Sequence, residues 1–492
     1  MTQELSRIQT AANAANDPAK TSGNSGSSGT TSTPAVVVPA AASWARTATA
    51  GPTDSSWNGV AVDTGGNIYA AGSQFGTGTY TYGAQSTNGP FAGNNSVLVK
   101  YDASGTVQWA RTVSASAGSS VFRAVTTDTS GNIYAAGFQN NSSTFTYTGT
   151  TATGNCAGNN LTVVKYNSAG TTVWARTVSS CGSAAQANAV ATDVSGNVYA
   201  AGYQVGTATY GYSGQNATGT STFTNVVLVK YNSSGTAQWA RSLAGGTNNA
   251  QFNALAVDSS GNIYAAGYQS GSGAYTYGSQ AATATASGTN AVIVKYDSSG
   301  TALWANTVSA GAAASQFMGL TTDAGGNVFA VGYQTGTGTF TYGGQSITGG
   351  SLGTNTILVK YSAAGTVLGA TALTSGAGNA QFNAVATDTG GNIYAAGFQT
   401  GTGAYTFGSV SATGTATSNN PILVRYNTAL SAQWVNTISA GASSAAFNAM
   451  AVDSGNGLYL AGSQTANGTY TYGTQSIAGP YTGSNVALVK YQ

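Results

Sequence analysis

WNGVAVDTGGNIYAAGSQ at 57–74, followed after a long connection by SVLVKYDASGTVQWARTV at 96–113, contains four short runs rich in β-branched and aromatic residues. They are WNGVAVD (57–63), NIYAAGSQ (67–74), SVLVKYD (96–102) and TVQWARTV (106–113). Runs of this length and content, bounded by Gly, Asn, Asp and Ser, read as strands. TGG joins the first pair and ASG the second, both suited to hairpins, so the unit is one four-stranded sheet. Its strands are apolar on both faces, as expected of a sheet covered on both sides. Ala70, Ala71 and Gly72 are small, which suits strands packed near a crowded central axis.

The same unit returns every 65 residues. The tryptophan that opens WARTV recurs as Trp44, Trp109, Trp174, Trp239, Trp304 and Trp434, with Gly369 in the one vacant place. An aspartate keeps the register at Asp63, Asp128, Asp193, Asp258, Asp323, Asp388 and Asp453, and a basic residue at Lys100, Lys165, Lys230, Lys295, Lys360, Arg425 and Lys490. Seven copies fill 38–492 without insertion or deletion. Four-stranded repeats close into a propeller or stack openly, and the termini decide between these. The chain begins with a fourth-type strand, ASWARTA (42–48), and ends with a third-type strand, NVALVKYQ (485–492). Pairing the two completes the seventh sheet and removes an exposed edge. The expected fold is therefore all-β: a seven-bladed β-propeller of four-stranded blades over 38–492, closed by pairing an N-terminal strand with the C-terminal blade. Copy five lacks its Trp, copy six ends its hairpin with NTAL (427–430) and copy seven reads DSGNGL. Looser packing is expected in those blades.

Composition agrees with such a chain. Of 492 residues only 5% are charged, whereas there are 69 glycines and 28 tyrosines. The hydrophobic fraction of 41% is enough for a folded core. The 14 basic residues are scattered singly and make no footprint for nucleic acid. No run approaches the 18 apolar residues of a membrane-spanning helix. Composition reads as exported, yet MTQELSRIQTAANAANDPAK at 1–20 holds no apolar signal core. The expectation is either a true start further upstream or a signal already removed. Residues 1–37 lie outside the repeat and read as a tether, with a short helix within 3–20 and a Gly/Ser/Thr linker at 21–34.

AVDSSGNIYAAGY (256–268) followed by AVIVKYDSSGTALWANTV (291–308) resembles the bacterial β-propeller repeats called SBBP. The likeness spans nearly all of 38–492 and is specific at D-x-x-G-N-[IV]-Y and V-K-Y-D-x-x-G-x-x-x-W. It implies a propeller in exported or surface-anchored bacterial proteins and brings no catalytic residues.

The candidate sites follow from the repeat. The chain has no histidine, which removes the usual general base and a common metal ligand. Seven of its 12 acidic residues are the repeat aspartates. These read as acceptors for their own turns, with calcium as the alternative. Cys156 and Cys181 face each other if the hairpin of copy two turns near 168–169, giving a structural disulfide or two unpaired thiols. Trp44/Arg46, Trp109/Arg111, Trp174/Arg176 and Trp239/Arg241 share a strand face, so Arg either covers Trp by stacking or forms a basic docking arc.

The long connection after the second strand carries an aromatic pair in every copy: Tyr80/Tyr82, Phe145/Tyr147, Tyr210/Tyr212, Tyr275/Tyr277, Phe340/Tyr342, Tyr405/Phe407 and Tyr470/Tyr472, with Gln74 and its equivalents just before. A connection of over twenty residues is expected to fold as an extra hairpin. Its aromatics form either the core of that hairpin or exposed platforms for a ligand, and the platforms are the candidate binding site. The functional expectation is a surface or secreted protein, an adhesin that binds glycans or extracellular proteins multivalently through these loops. A passive scaffold is the alternative, and a lyase or hydrolase stands last. We expect a monomer that is not an enzyme, with no cofactor, no metal and no nucleic-acid partner.

Overall fold

The computed structural model describes residues 40–492 except positions 312 and 442, and the tether expected over 1–37 lies outside these. Seven four-stranded antiparallel blades form the body, each running first, second, third and outer strand from the axis to the rim. In blade 1 these are Ser55–Val62, Ile68–Phe75, Asn94–Tyr101 and Val107–Ala115. Blade 7 takes its outer strand from the other end of the chain: Ala42–Arg46 pairs with Ser484–Tyr491 in the register Trp44↔Lys490, Ala45↔Val489 and Arg46↔Leu488. The junction is a full ladder, with Ala41 and Gln492 exchanging both backbone hydrogen bonds at 2.9 Å. Every described element is a strand, so no helix among these residues is long and apolar enough to cross a membrane.

Each first strand carries a β-bulge. Trp57 pairs with Gly72 and Gly59 with Ala71, which leaves Asn58 as the extra residue. The six other blades repeat this shift. A bulge bends its strand and re-aims one side chain; here it directs the residue at position 58 of the repeat to the axis. It also drives the carbonyl of Ser56 against the second strand, where a Cβ on Gly72 would stand 1.9 Å from that oxygen. This explains the glycine of Ala-Ala-Gly. Crowding near the axis was the expected reason for the small residues, whereas the axial strand is the first one and the glycine answers its bulge.

Two contacts secure the other face. The Asp63 Oδ1 accepts from the N–H groups of Gly65 and Asn67, and Oδ2 from the Asn67 amide and the Tyr69 hydroxyl, all at 2.8–2.9 Å. Burial, and then the adjacent carboxylate, raise the Tyr69 pKa, so its hydroxyl remains a donor. Between blades, Trp109 Nε1 and Lys100 Nζ both donate to the carbonyl of Ser168 in the next blade's hairpin, at 3.1 and 3.3 Å. Arg111 lies over Trp109 at 5.2 Å and donates to Gly170 O and Ala169 O of the same turn. Where Arg is replaced, Asn306 still reaches Gly365 O at 2.7 Å, and Asn436 reaches Ala40 O at 2.9 Å across the closure.

Blade 5, expected to be loose, is instead compensated. The turn glycines Gly105, Gly170, Gly235, Gly300 and Gly365 have φ of 77–87° and no room for a side chain, because the preceding blade's Trp lies 2.8–3.0 Å from where a Cβ would be. The sixth member of this series is Leu430, at φ 62° and almost fully buried, and it faces Gly369, the position without Trp. A large and a small residue have exchanged places across the interface. Blade 7 keeps its turn too: Asn456 adopts the left-handed φ of 66°, and the Gly457 N–H still binds Asp453. We expect Gly369→Trp and Leu430→Gly each to lower Tm and the double variant to recover much of the loss, a coupling of about 2 kcal/mol in a double-mutant cycle. Additive losses would show that the two positions do not share one space.

Candidate functional site: the axial cup

Because each first strand starts at the face that also carries the long connections, that face holds the mouth of the axial channel. The bulge residues line its throat: Asn58, Arg123, Asn188, Asn253, Met318, Asn383 and Asn448. Each of the five asparagines donates to the next blade's backbone at 2.8–2.9 Å; Asn58, for example, reaches Phe122 O, and Asn448 closes the circle on Trp57 O. Gln186, Gln251 and Gln381 stand one step nearer the mouth and donate to Asn188, Asn253 and Asn383 at 2.6–2.7 Å. Below the throat Val60, Leu255, Leu320, Val385 and Met450 converge and are almost closed to water. The channel is thus a cup with an aliphatic floor, open to solvent at its mouth.

Aromatic residues stand one strand behind the first-strand residues at the mouth in blades 2 to 6 only, opposite Val121, Gln186, Gln251, Gln316 and Gln381, and of them Phe398 lines the cup. The residue after the Ala-Ala-Gly glycine is Phe138, Tyr203, Tyr268, Tyr333 and Phe398 in blades 2 to 6, all half-buried, but Ser73 and Ser463 in blades 1 and 7. Burial raises the pKa values of Tyr203, Tyr268 and Tyr333, with further upward pushes between neighbouring tyrosines at Tyr268 and Tyr333. These hydroxyls therefore stay protonated at neutral pH. Beside this arc, Arg123 is the one cation among the lining residues, and no carboxylate is among them.

The residues singled out in the sequence lie elsewhere. All fourteen connection aromatics, Tyr80, Tyr82, Phe145, Tyr147, Tyr210, Tyr212, Tyr275, Tyr277, Phe340, Tyr342, Tyr405, Phe407, Tyr470 and Tyr472, are at most 2% exposed. The expectation of ligand platforms is corrected by this burial. The connection does fold as a hairpin, Thr79–Tyr82 against Gln85–Asn88 in blade 1, and its aromatic side turns inward. Tyr212 donates to Gln204 at 3.0 Å, and Gln204 donates on to Ala217 O, so the repeat glutamine ties hairpin to blade. Each hairpin also bridges to the blade before it, as Thr146 to Ala115 and Thr81 to Ala50.

Cys156 and Cys181 form a disulfide with Cα atoms 5.5 Å apart. It joins the blade 2 connection to the segment leading into blade 3. The repeat aspartates are engaged by their own turns, and the four arginines by their Trp and the next turn, which leaves neither series free for a ligand.

Sequence reasoning missed the cup because it followed columns that repeat. Its residues occupy the columns that vary: Asn, Arg or Met at the bulge, and Ser, Phe or Tyr after Ala-Ala-Gly. Variation flanked by constancy was the available signal.

No family model matches the chain, and no curated protein matches it. Among solved structures, the chain resembles one described as a mitotic checkpoint complex, with 9% identity, coverage of 90% of this chain and 95% of that one, and a TM-score of 0.41. It also resembles a polysaccharide lyase, Uly1, with 10% identity, 90% coverage of each chain and a TM-score of 0.42. The class that fold and site define is a seven-bladed β-propeller with an axial cup.

Tyr212→Ala should cost about 3–5 kcal/mol, as for a buried aromatic, whereas Tyr268→Ala, half-buried on its second strand, should cost distinctly less. Thermal unfolding of the two variants checks this, and equal losses would place Tyr268 in the core.

Proposed function

We propose that this protein is a non-catalytic binding propeller that takes one hydroxyl-rich ligand, a glycan chain or chain end, into its axial cup. The observation that carries this reading is the lining: amides of Asn and Gln around a throat, with Phe398 among them and the other half-buried aromatics of its column on the second strands behind. Concave sites of this make-up, largely preformed and furnished with a few oriented polar groups, suit small polar ligands. Aromatic rings take the apolar face of a sugar while their hydroxyls and nearby amides meet its polar edges. Carboxylate, histidine and cysteine are missing from the lining residues, which supports a binding rather than a catalytic reading.

A single axial site replaces multivalent loops in this reading. The disulfide favours an oxidising compartment, and we place the protein outside the cytoplasm, as the resemblance to SBBP repeats also implies.

A glycan array probed with the wild type and with Gln251→Ala/Tyr268→Ala tests the proposal. Selective binding by the wild type, weakened at least about 10-fold in a variant of similar Tm, is expected for loss of one good polar contact and one stacking ring. Binding that survives in the variant, or no binding to any glycan, would overturn it.

A further inference from the structure

Arg123 stands alone in several respects. Five of the seven bulge positions hold Asn, each tied to the next blade's backbone, and Met318 fills another; only blade 2 places a cation there. Among the described residues, Arg123 makes no hydrogen bond or ion pair, and its guanidinium rests over the Phe138 ring at 5.9 Å. The four arginines of the rim each spend their donors on neighbouring carbonyls. Arg123 keeps all five N–H donors available.

The side chain is open to the water of the cup, yet protein surrounds it closely enough that desolvation lowers its pKa. It remains charged at neutral pH, because an arginine stays protonated there. A guanidinium with no partner in the protein, set in a wall that restricts its hydration, gains more from a counter-charge than one on the open surface does. With no carboxylate among the lining residues, the chain itself does not supply one there. A guanidinium fork matches a carboxylate by paired N–H···O bonds.

We propose that Arg123 is the anchor for a carboxylate on the ligand, so that the cup prefers acidic sugars, uronic acids in a polysaccharide, over their neutral counterparts. This rests on the cup being the glycan site. Phe138 and Tyr203 flank the anchor, and Tyr203 is near enough to Arg123 for the charge to favour its ionised form slightly. A sugar ring stacked on either one brings a carboxylate on that ring to the guanidinium, while Gln186 and Asn188 in blade 3 meet its hydroxyls.

The test is calorimetric titration of the full chain with oligogalacturonate and with the same oligomer after reduction of its carboxyls to alcohols, beside free acetate as the source-independent anion. The variants are Arg123→Asn, which installs the residue used in five other blades and should fold normally, Arg123→Lys, and Tyr268→Ala. The wild type should bind the acidic oligomer about 10- to 100-fold more tightly than the reduced one, the range for a charge-assisted hydrogen-bonded contact. Arg123→Asn should abolish the difference, and Arg123→Lys should restore part of it. Acetate should compete only weakly, since it lacks the sugar. Equal affinity for both oligomers, no binding of the acidic oligomer, or a preference that survives Arg123→Asn would overturn the assignment. Failure of the two proposals is distinguishable: binding unaffected by Tyr268→Ala speaks against the cup itself, whereas binding lost in Tyr268→Ala and unchanged in Arg123→Asn speaks only against the anchor.

Discussion

Each blade must grip the next through donors aimed at a turn that the neighbour cannot move, and the ring depends on that grip. Trp109 and Lys100 meet on one carbonyl, Ser168 O, while Arg111 takes the next two carbonyls of the same hairpin. Buried or half-buried carbonyls lacking partners would be costly, so the clamp joins blades and satisfies the turn together. The same logic reaches across the chain ends, where Trp44 and Arg46 serve blade 1 from a strand that pairs with Val489 and Lys490. Gly369 and Leu430 show that the clamp is a matter of filled volume as much as of hydrogen bonds. When the ring of Trp is absent the turn itself fills the space, even at the cost of a left-handed leucine, a conformation unfavourable by roughly 1–2 kcal/mol for a residue with a Cβ.

A body held in this way frees other positions. The bulge at Asn58 illustrates the division: its neighbours Trp57 and Gly59 stay in the ladder, and the extra residue faces the axis. Since the ladder does not constrain that side chain, blades can differ there at little cost to folding. Five use Asn to tie the throat together, one uses Met and one Arg. The position after Ala-Ala-Gly varies similarly, between serine on one side and aromatics on the other. Symmetry in the frame and asymmetry in the cup are therefore consequences of one backbone feature.

The period, the strands and the exchange of ends were legible because they are carried by residue identity at fixed spacing. So was the pairing of Cys156 with Cys181, since hairpin arithmetic places them together. The extra hairpin was also legible, but its facing was not. Tyr80 and Tyr82 two apart must share a side, yet nothing in that spacing says whether the side is core or solvent. The hairpin folds back onto its own blade, where Tyr82 meets Trp57 and Gln74, and bridges to the blade before it, and that tertiary step buries the pair. The cup was hidden for a different reason. A bulge breaks the parity by which strand residues alternate, so the direction of Asn58 or Arg123 could not be counted from Asp63 or Trp57.

Charge economy connects the two halves of the molecule. In a chain with so few charged residues, nearly every one described has a structural partner: aspartates in their turns, lysines over the tyrosine or phenylalanine of the second strand and, in several blades, on the next blade's carbonyls, rim arginines on tryptophan. Coulomb attraction inside a partly desolvated wall is several-fold stronger than in open water, so an uncommitted charge there has more effect on a ligand than many exposed ones. Replacing Arg123 with the asparagine of its sister blades would extend the ring of amides to six of its seven positions, leaving Met318 as the one exception, and make the throat more regular. That the chain instead places a cation in this one blade, among neighbours whose polar groups are tied to one another, sets the cup apart from the frame that builds it. Within the cup it gives one blade a different electrostatic character from the rest, and with it a preferred orientation for whatever enters.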